Sequence, residues 1–326
     1  MTYRNFVERY AADVKRNPDE MLAESPLSFP LSSNQRGEKL VDFLQRTIDL
    51  DLRGKRVLDV GCAYGGLSIA LANAGADVDA VDISAKFIEY ATANSEGLAD
   101  IRPAVADASS VTMRKLYGKG SFDLIVINDV LEHIYDTTSL AANLDYLLSE
   151  TGVVYFKVPN GFSPRFALSE GHRKIFGLTL IDPDCWFHLH PKRASIFYRP
   201  LEHFMAIFSH FNMPEMLLVD EEQVFRRFSP KKLKKQIGEI FAKAREFDYP
   251  NSSIKQYIRD GILRFRDGYE YDLETHGAEY VTFKYGSYFY TGFMGRPGAS
   301  LTALNGAQTV PGIGQIALRE RLAEAA

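Results

Sequence analysis

The sequence predicts an α/β fold in which a mostly parallel sheet carries helices on both faces. Short strand-like runs recur, with helix-like segments between them, near residues 56–60, 77–82, 102–106, 122–127 and 152–158. All but the third, which is weakly patterned, are apolar in the manner of strands buried on both faces of a parallel sheet. The first run ends in a Gly-rich turn, and the second ends in Asp82, 21 positions after Gly61. This is the layout of a nucleotide-binding β-α-β unit.

The composition indicates a folded protein with one catalytic core and added segments, because 326 residues exceed the usual size of a single domain. A hydrophobic content of 46% suffices for a full core, and a net charge of −4 gives no global reason to expect a nucleic-acid partner. The two cysteines suit a reducing cytosol. Residues 1–20 lack the apolar core of a signal peptide, and no apolar stretch is long enough to span a membrane. We therefore expect a cytoplasmic protein without membrane association.

Two helices are predicted before the first strand. Residues 3–16 carry Phe6, Tyr10 and Val14 at helical spacing. Ser33 or Asn34 is then the expected N-cap of a second helix, whose apolar residues fall on one face.

Beyond Pro159 the pattern predicts fewer core elements and longer insertions. A helix is expected at 200–210, a sixth strand at 216–220 and a closing strand at 288–294. The insertions at 160–198 and 222–284, the latter with two helices, should join the N-terminal helices in covering the substrate side, because long loops at the carboxyl ends of strands usually carry function. The tail is expected to be helical at 316–325.

The Gly-rich turn has a distinctive pattern. It reads Gly61-Cys62-Ala63-Tyr64-Gly65-Gly66, and Asp59 stands two residues before its first glycine. This pattern resembles motif I of the class I S-adenosylmethionine (SAM)-dependent methyltransferases, and four later segments resemble the following motifs of that family in order. These segments are residues 78–84, 103–108, 122–134 and 147–160.

The resemblance implies a Rossmann-like, seven-stranded, mostly parallel sheet with helices on both faces, insertions forming a cap, and SAM as the cofactor. Asp82 stands where the family has its ribose-binding acid, and Asp107 where an acid meets the adenine amine, with the Ala106 or Ala108 amides as the alternative. Ala63 replaces a usual glycine, which alanine allows if its φ is negative. The implied cofactor-binding residues are Asp59, Gly61, Cys62, Ala63, Gly65, Asp82, Ile83, Asp107, Ala108 and Asn128.

The chain divides accordingly into seven predicted segments. They are an N-terminal helical cap (1–50), the SAM-binding core (51–160), an aromatic and His-rich insertion (161–199), a core helix and strand (200–221), a helical insertion (222–284), the closing strand (285–297) and a tail (298–326).

Histidines are the predicted source of a general base, which a hydroxyl acceptor would require. His133 follows the fourth strand, where it either acts as this base or shapes the loop. The segment around Trp186 concentrates further histidines and two acids, Asp182 and Asp184. The candidate catalytic residues are His133, His172, His188 and His190. These groups could also hold a divalent metal, but because half of the set is imidazole and a hard cation prefers oxygen ligands, we predict activity without a metal.

The predicted function is methyl transfer to a small molecule at a hydroxyl, such as a sugar, a quinone precursor or a natural product. One alternative is methylation of nucleic acid or protein, supported only by the basic run 226–235, most of which is expected to be a solvated helix face. Another is a SAM-binding protein without activity. The insertions also offer a surface for homo-oligomer formation.

Overall fold

The computed structural model describes residues 2–23, 28–169, 174–182, 185, 196–248, 252–299, 301–303 and 306–318. These residues contain a nine-stranded sheet in the order β3-β2-β1-β4-β5-β7-β6-β9-β8. The strands are β1 Arg56–Val60, β2 Asp77–Asp82, β3 Ile101–Val105, β4 Phe122–Asn128, β5 Leu148–Pro159, β6 Glu215–Asp220, β7 Phe289–Gly295, β8 Ala307–Val310 and β9 Gly314–Leu318.

Helices alternate with the first strands and then dominate the second half of the chain. They are α1 Thr2–Val14, α2 Pro18–Ala23, α3 Ser33–Thr47, α4 Gly66–Asn73, α5 Ala85–Ser95, α6 Met113–Leu116, α7 Thr137–Leu147, α8 Pro164–Leu168, α9 Leu201–His210, α10 Val224–Arg227, α11 Pro230–Glu246, α12 Ser252–His276 and α13 Ala278–Gly286, with 3₁₀ turns at Leu131–His133 and Leu178–Leu180.

The first five strands form the parallel part of the sheet, and the prediction of a mostly parallel α/β fold is confirmed. Strand β7 inserts antiparallel between β5 and β6. The chain order reverses between β1 and β4, where one path runs outward through β2 and the other through β5. Such a switch point opens a crevice at the carboxyl ends of the strands, which is where ligands bind in open α/β sheets.

Each face of the sheet is covered by its own hydrophobic core. One face packs against α3 and α4 through residues such as Leu44 and Leu71. The other packs against α7, α9 and the long helices α11 and α12, with Phe204 and Phe208 among its fully buried residues. The strands of the parallel part are therefore covered on both faces of the sheet, which agrees with the uninterrupted apolar runs in the sequence.

Two expectations about the tail and the strand count are wrong. Residues 316–318, predicted to begin a helix, lie in β9, and 319–325 lie outside the described residues. Strand β9 pairs with β6 in parallel, and β8 folds back onto β9, so the sheet has nine strands and not seven. Gly312 and Gly314, with φ of +80° and +109°, allow this turn, and Ile316 is fully buried.

Two local predictions also differ from the structure. Helix α3 begins at Ser33 but has Ser32 as its N-cap, without a side-chain capping bond. Residues 278–286 form α13, a helix additional to the two predicted for the insertion 222–284. The whole stretch from Tyr280 to Gly286 is buried, so it has no polar face to reveal a helical period.

No helix of the described residues combines the length and the apolar character that crossing a membrane would require.

Candidate active site

A cavity of about 1120 Å³ opens at the carboxyl ends of β1, β2 and β4. Its walls come from the Gly-rich turn after β1, the loops after β2, β3 and β4, and helix α3 with Arg36. Phe166 of α8 and the pair Tyr288–Phe289 at the start of β7 complete it. Within the described part of the chain, no residue of 222–284 lines it. The cavity therefore occupies the switch point and has the size of a small-molecule site.

Glycine is required in the turn for reasons of conformation and of space. Gly61 and Gly65 have φ of +73° and +74°. A Cβ on Gly61 would lie 2.3 Å from Cγ2 of Val130, in the loop after β4. A Cβ on Gly66 would lie 2.3 Å from the carbonyl carbon of Ser33, and one on Gly37 equally close to the carbonyl oxygen of Gly66. The turn is thus held between the loop after β4 and the backbone of α3.

Ala63 departs from the expected conformation. Its φ is +45°, in the left-handed region, whereas the sequence argument assumed a negative value. Its backbone N–H donates a hydrogen bond to Oδ2 of Asp82 at 3.1 Å, which holds the residue in this conformation. A left-handed alanine costs about 1–2 kcal/mol, so the turn keeps a glycine-like shape without a glycine.

Asp82 lies at the end of β2 and its carboxylate faces the turn. It is 8% exposed, and its Oδ1 accepts a hydrogen bond from the Ser84 backbone N–H at 2.8 Å. Each carboxylate oxygen has further lone pairs after one hydrogen bond. The structure therefore places Asp82 beside Gly61 on the cavity wall, ready to accept further bonds from a ligand.

Asp59 is buried behind the turn. It is 2% exposed, and its Oδ2 accepts a hydrogen bond from the Ser68 hydroxyl at 2.5 Å, which ties β1 to helix α4. Burial raises the pKa of Asp59 to about 6. The Ser68 hydrogen bond acts to lower this pKa, and the charge of Asp82 acts to raise it. The residue is thus mainly ionised at neutral pH. Cys62, between these acids, is buried, and burial raises the pKa of its thiol strongly.

The remaining predicted cofactor residues also line the cavity. Ile83 is 71% exposed, which places a large apolar side chain at the cavity surface. Oδ1 of Asp107 accepts hydrogen bonds from the Ser109 backbone N–H at 2.9 Å and from the Ser109 hydroxyl at 2.7 Å. Nδ2 of Asn128 donates to Oδ2 of Asp129 at 3.0 Å. The structure therefore brings nine of the ten predicted cofactor residues onto the wall of one cavity, and the tenth, Gly65, lies in the same turn without lining it.

His133 is the one predicted catalytic histidine that the structure describes. It is accessible from the cavity, and its Nε2 lies 3.9 Å from Oε1 of Glu132. Glu132 itself is 1% exposed. Burial raises the pKa of Glu132 to about 8, and the nearby Asp129 carboxylate adds to the rise.

The other candidate histidines, His172, His188 and His190, lie outside the described residues, as does Asp184 of the suggested metal set. Among the described residues, no group of three or more His, Cys, Asp or Glu side chains is arranged to hold a metal ion. Activity without a metal stays a prediction.

Four charged residues of the cavity were not among the predicted site residues: Arg36, Asp129, Glu132 and Asp136. Arg36 of α3 is half-buried, with its guanidinium 3.7 Å from the centre of the Phe29 ring. Asp129 has a φ of +56°, and desolvation raises its pKa while the charge of Lys157 lowers it. Strained backbone at the end of a strand is common at functional sites. The Asn-Asp pair directly after β4 was the sequence signal for Asp129. Arg36 had none.

An aromatic group of the cavity wall also lies outside the predicted set of site residues. The rings of Phe166 and Tyr288 are stacked, with centroids 4.1 Å apart, and Phe289 meets Tyr288 edge to face at 4.9 Å. Arg165 lies over the Tyr288 ring at 4.1 Å. The pair 165–166 and the pair 288–289 are more than 120 positions apart in the sequence, so only folding brings them together.

Comparison with known proteins places the chain in a family. A model of the methyltransferase domain family matches residues 33–212, more than half of the chain. The chain therefore belongs to this methyltransferase family, and the predicted membership is confirmed, together with SAM as the cofactor at the level of the family.

Individual relatives match over shorter stretches. The chain is 34% identical over 123 residues to a ubiquinone biosynthesis O-methyltransferase of Actinobacillus pleuropneumoniae serotype 5b, covering 37% of this chain and 52% of that protein. A protein of the same name from Ralstonia nicotianae is 36% identical over 119 residues, 36% of this chain and 47% of the relative. The chain thus spans about half the length of these relatives.

Solved structures resemble the chain at low identity. A putative sarcosine dimethylglycine methyltransferase from Galdieria sulphuraria is 17% identical, with 80% of this chain and 84% of that chain covered and a TM-score of 0.44. Phosphoethanolamine N-methyltransferase 2 of Haemonchus contortus, solved with SAM, is 19% identical over 78% of this chain and 50% of that chain, also with a TM-score of 0.44.

Proposed function

We propose that the protein is a SAM-dependent O-methyltransferase that acts on a small-molecule hydroxyl. The observation that carries this proposal is the charge of the cavity. Its wall holds six carboxyl groups but only one permanently cationic side chain, that of Arg36. The acids are Asp59, Asp82, Asp107, Asp129, Glu132 and Asp136. Even with the buried Glu132 protonated, the other carboxylates leave this wall negatively charged. Such a wall repels the pyrophosphate of a dinucleotide and suits SAM, which carries an ammonium and a sulfonium group.

Different residues of the cavity wall suit different chemical groups of SAM. The Asp82 carboxylate suits the ribose diol, since two charge-assisted hydrogen bonds are available there. Asp107 or the neighbouring Ala108 amide suits the adenine amine, and Ile83 offers an apolar surface for the ring. Arg36 is the one permanent cation on this wall and therefore the candidate partner for the methionine carboxylate. Gly61 has no Cβ, which lets Val130 of the loop after β4 pack directly against the turn.

The acceptor is proposed to lie against the aromatic group of Phe166, Tyr288 and Phe289. Stacked rings favour a flat, apolar molecule, since offset and edge-to-face contacts with aromatic rings add to the energy of burial. The similar proteins are named for ubiquinone biosynthesis, whose O-methylation supports a phenolic acceptor for this chain as well. A phenol or catechol of the quinone-precursor type is therefore the first class to test.

Bound SAM supplies a methyl group on a positively charged sulfur. The protein's contribution is then mostly positioning, because the transfer is an in-line displacement that needs alignment. His133 is the proposed general base that takes the proton of the acceptor hydroxyl. It lies in the 3₁₀ turn after β4 and lines the same cavity as the Gly-rich turn and the aromatic group.

A thermal-shift experiment tests the cofactor class. SAM and S-adenosylhomocysteine (SAH) should each raise the melting temperature, by mass action, and NAD should not. Asp82→Ala should weaken SAM binding at least tenfold, because each lost charge-assisted bond is worth about 1.5–3 kcal/mol. Asp77→Ala is the matched control, since Asp77 begins the same strand at the end away from the cavity and is paired with Arg102. Equal SAM affinity in the two variants would contradict the ribose assignment.

The acceptor class is tested by mass spectrometry. The protein and SAM are incubated with phenols, catechols, sugars and amines, and products are searched for a gain of one methylene unit. Methylation of a phenol or catechol is expected. If only amines react, the proposed O-methylation is wrong, while the cofactor assignment stands.

A further inference from the structure

Glu132 is a buried acid on the cavity wall for which the reaction described above has no use. Its side chain is 2% exposed, and its Oε2 has no hydrogen-bond partner among the described residues. The backbone of the residue is fixed, because its carbonyl oxygen accepts a hydrogen bond from the Phe197 N–H at 2.6 Å. Buried polar atoms without partners are rare in native proteins and call for an explanation.

The charges around Glu132 do not neutralise it. Asp129, His133 and Asp136 belong to the same loop, and Arg36 faces the cavity from α3. Outside the cavity wall, Lys157 of β5 interacts with the charge of Asp129, and Arg199 donates to a carbonyl of the same loop. The three permanent cations have other acceptors. Arg36 donates to the Phe29 carbonyl at 2.7 Å, Lys157 to Glu221 at 2.9 Å, and Arg199 to the Ile134 carbonyl at 2.9 Å. The His133 ring lies 3.9 Å from Glu132, and after burial the largest electrostatic effect on Glu132 is that of another carboxylate, Asp129.

We propose that Glu132 distinguishes SAM from SAH by their charge, giving up its proton when the sulfonium cation enters the cavity and regaining it when the neutral thioether is left. This inference rests on the proposed function. The position of the residue supports it, since Val130, two residues earlier, lies against Gly61 of the turn. The loop that carries Glu132 is therefore adjacent to the turn, and both line the same cavity.

The direction of the effect follows from linkage. Burial and Asp129 raise the pKa of Glu132 to about 8, so the empty site holds a proton at pH 7. A nearby cation lowers that pKa. SAM should then bind more tightly relative to SAH as the pH rises towards 8, and the preference should level off above it. Lowering the pKa by about one unit corresponds to about a tenfold preference.

The charges also balance over the reaction. The S–CH₃ bond breaks and its electron pair stays on sulfur, while an O–CH₃ bond forms at the acceptor. The hydroxyl proton is lost at the same time. Glu132, ionised while the sulfonium is present, takes up one proton by way of His133 or solvent as the sulfonium disappears. The cavity thus has the same net charge before SAM binds and after methyl transfer, which favours release of SAH.

Calorimetry in buffers of different ionisation enthalpy measures the protons released on binding. At pH 7, SAM should release between about half a proton and one proton more than SAH, because the two ligands differ only in the methyl group and its charge. At pH 9 the difference should vanish. Glu132→Gln, which keeps the shape of the side chain, should abolish it at pH 7 and reduce the SAM-over-SAH preference at pH 9 by about tenfold.

His133→Gln is the matched control, and it should keep the difference in proton release if Glu132 is the source. Equal release for SAM and SAH in the parent, or an unchanged difference in Glu132→Gln, would overturn the inference. If Glu132→Gln does not fold, the parent still decides, since a SAM-over-SAH preference that stays constant from pH 6 to pH 9 contradicts the proposal. Absence of any SAM binding would instead contradict the proposed function.

Discussion

The two parts of the cavity, before and after Pro159, are built by different means. On the cofactor side, backbone lies directly against backbone, as where Gly37 of α3 meets Gly66 of the turn. On the proposed acceptor side, the wall consists of packed rings, with Phe166 stacked on Tyr288. Backbone contacts permit only the smallest residues, whereas aromatic packing tolerates exchange for other residues of similar volume. We infer that the first side is suited to an invariant ligand and the second to a variable one.

The strongest test of this contrast is Gly61→Val. Its Cβ would lie 2.3 Å from Val130 at a φ of +73°, so we expect loss of measurable SAM binding and a free energy of unfolding lowered by at least about 1–3 kcal/mol. Calorimetry and urea unfolding measure the two effects. Gly120→Val is the control. Gly120 also has a positive φ, +66°, but the atom nearest to a Cβ placed on it, Cα of Ser149, is 3.9 Å away. If Gly61→Val still binds SAM, the cofactor does not use this turn.

The next effect in size concerns the base. His133→Ala should lower kcat by about 10²–10⁴ and leave SAM affinity unchanged, because the change removes the proton acceptor and no proposed cofactor contact. His210→Ala, at the exposed end of α9, should change neither quantity. A normal kcat for His133→Ala would rule out His133 as the base, and His172, His188 and His190 would be tested next.

A smaller effect is expected from Phe166→Leu on the acceptor side. Loss of the stacked contact with Tyr288 should raise the acceptor KM about twofold to tenfold, since such ring pairs are worth about 0.5–1.5 kcal/mol. The SAM dissociation constant should not change, and steady-state kinetics with each substrate varied in turn will separate the two. A change in SAM affinity with no change in KM for the acceptor would show that the two sides are not separate.

The smallest effect is expected from Ala63→Gly. Glycine adopts the observed φ of +45° without strain, so this variant should match the parent or exceed its stability by up to about 1 kcal/mol, with SAM binding retained. Chemical denaturation measures the difference. A loss of more than about 1 kcal/mol would mean that the methyl group of Ala63 contributes packing that outweighs its backbone strain.

The same contrast explains which parts of the fold and of the site could be predicted from the sequence. Strands β1 and β2 were placed correctly at 56–60 and 77–82, because an uninterrupted apolar run and a Gly-rich turn are local signals. The β8–β9 hairpin was not, because its pairing with β6 joins residues about 100 positions apart. Arg36 escaped notice for the same reason, since it reaches the cavity only when α3 packs on the turn.

The contact between Gly37 and Gly66 has a consequence for how the molecule opens. Helices α3 and α4 cannot separate by small steps, since their backbones touch without intervening side chains. Local unfolding occurs in cooperative units, and these two helices should form one such unit together with the turn between β1 and α4. Their amide protons should then exchange with solvent at a common rate, although the two glycines are 29 positions apart in the sequence.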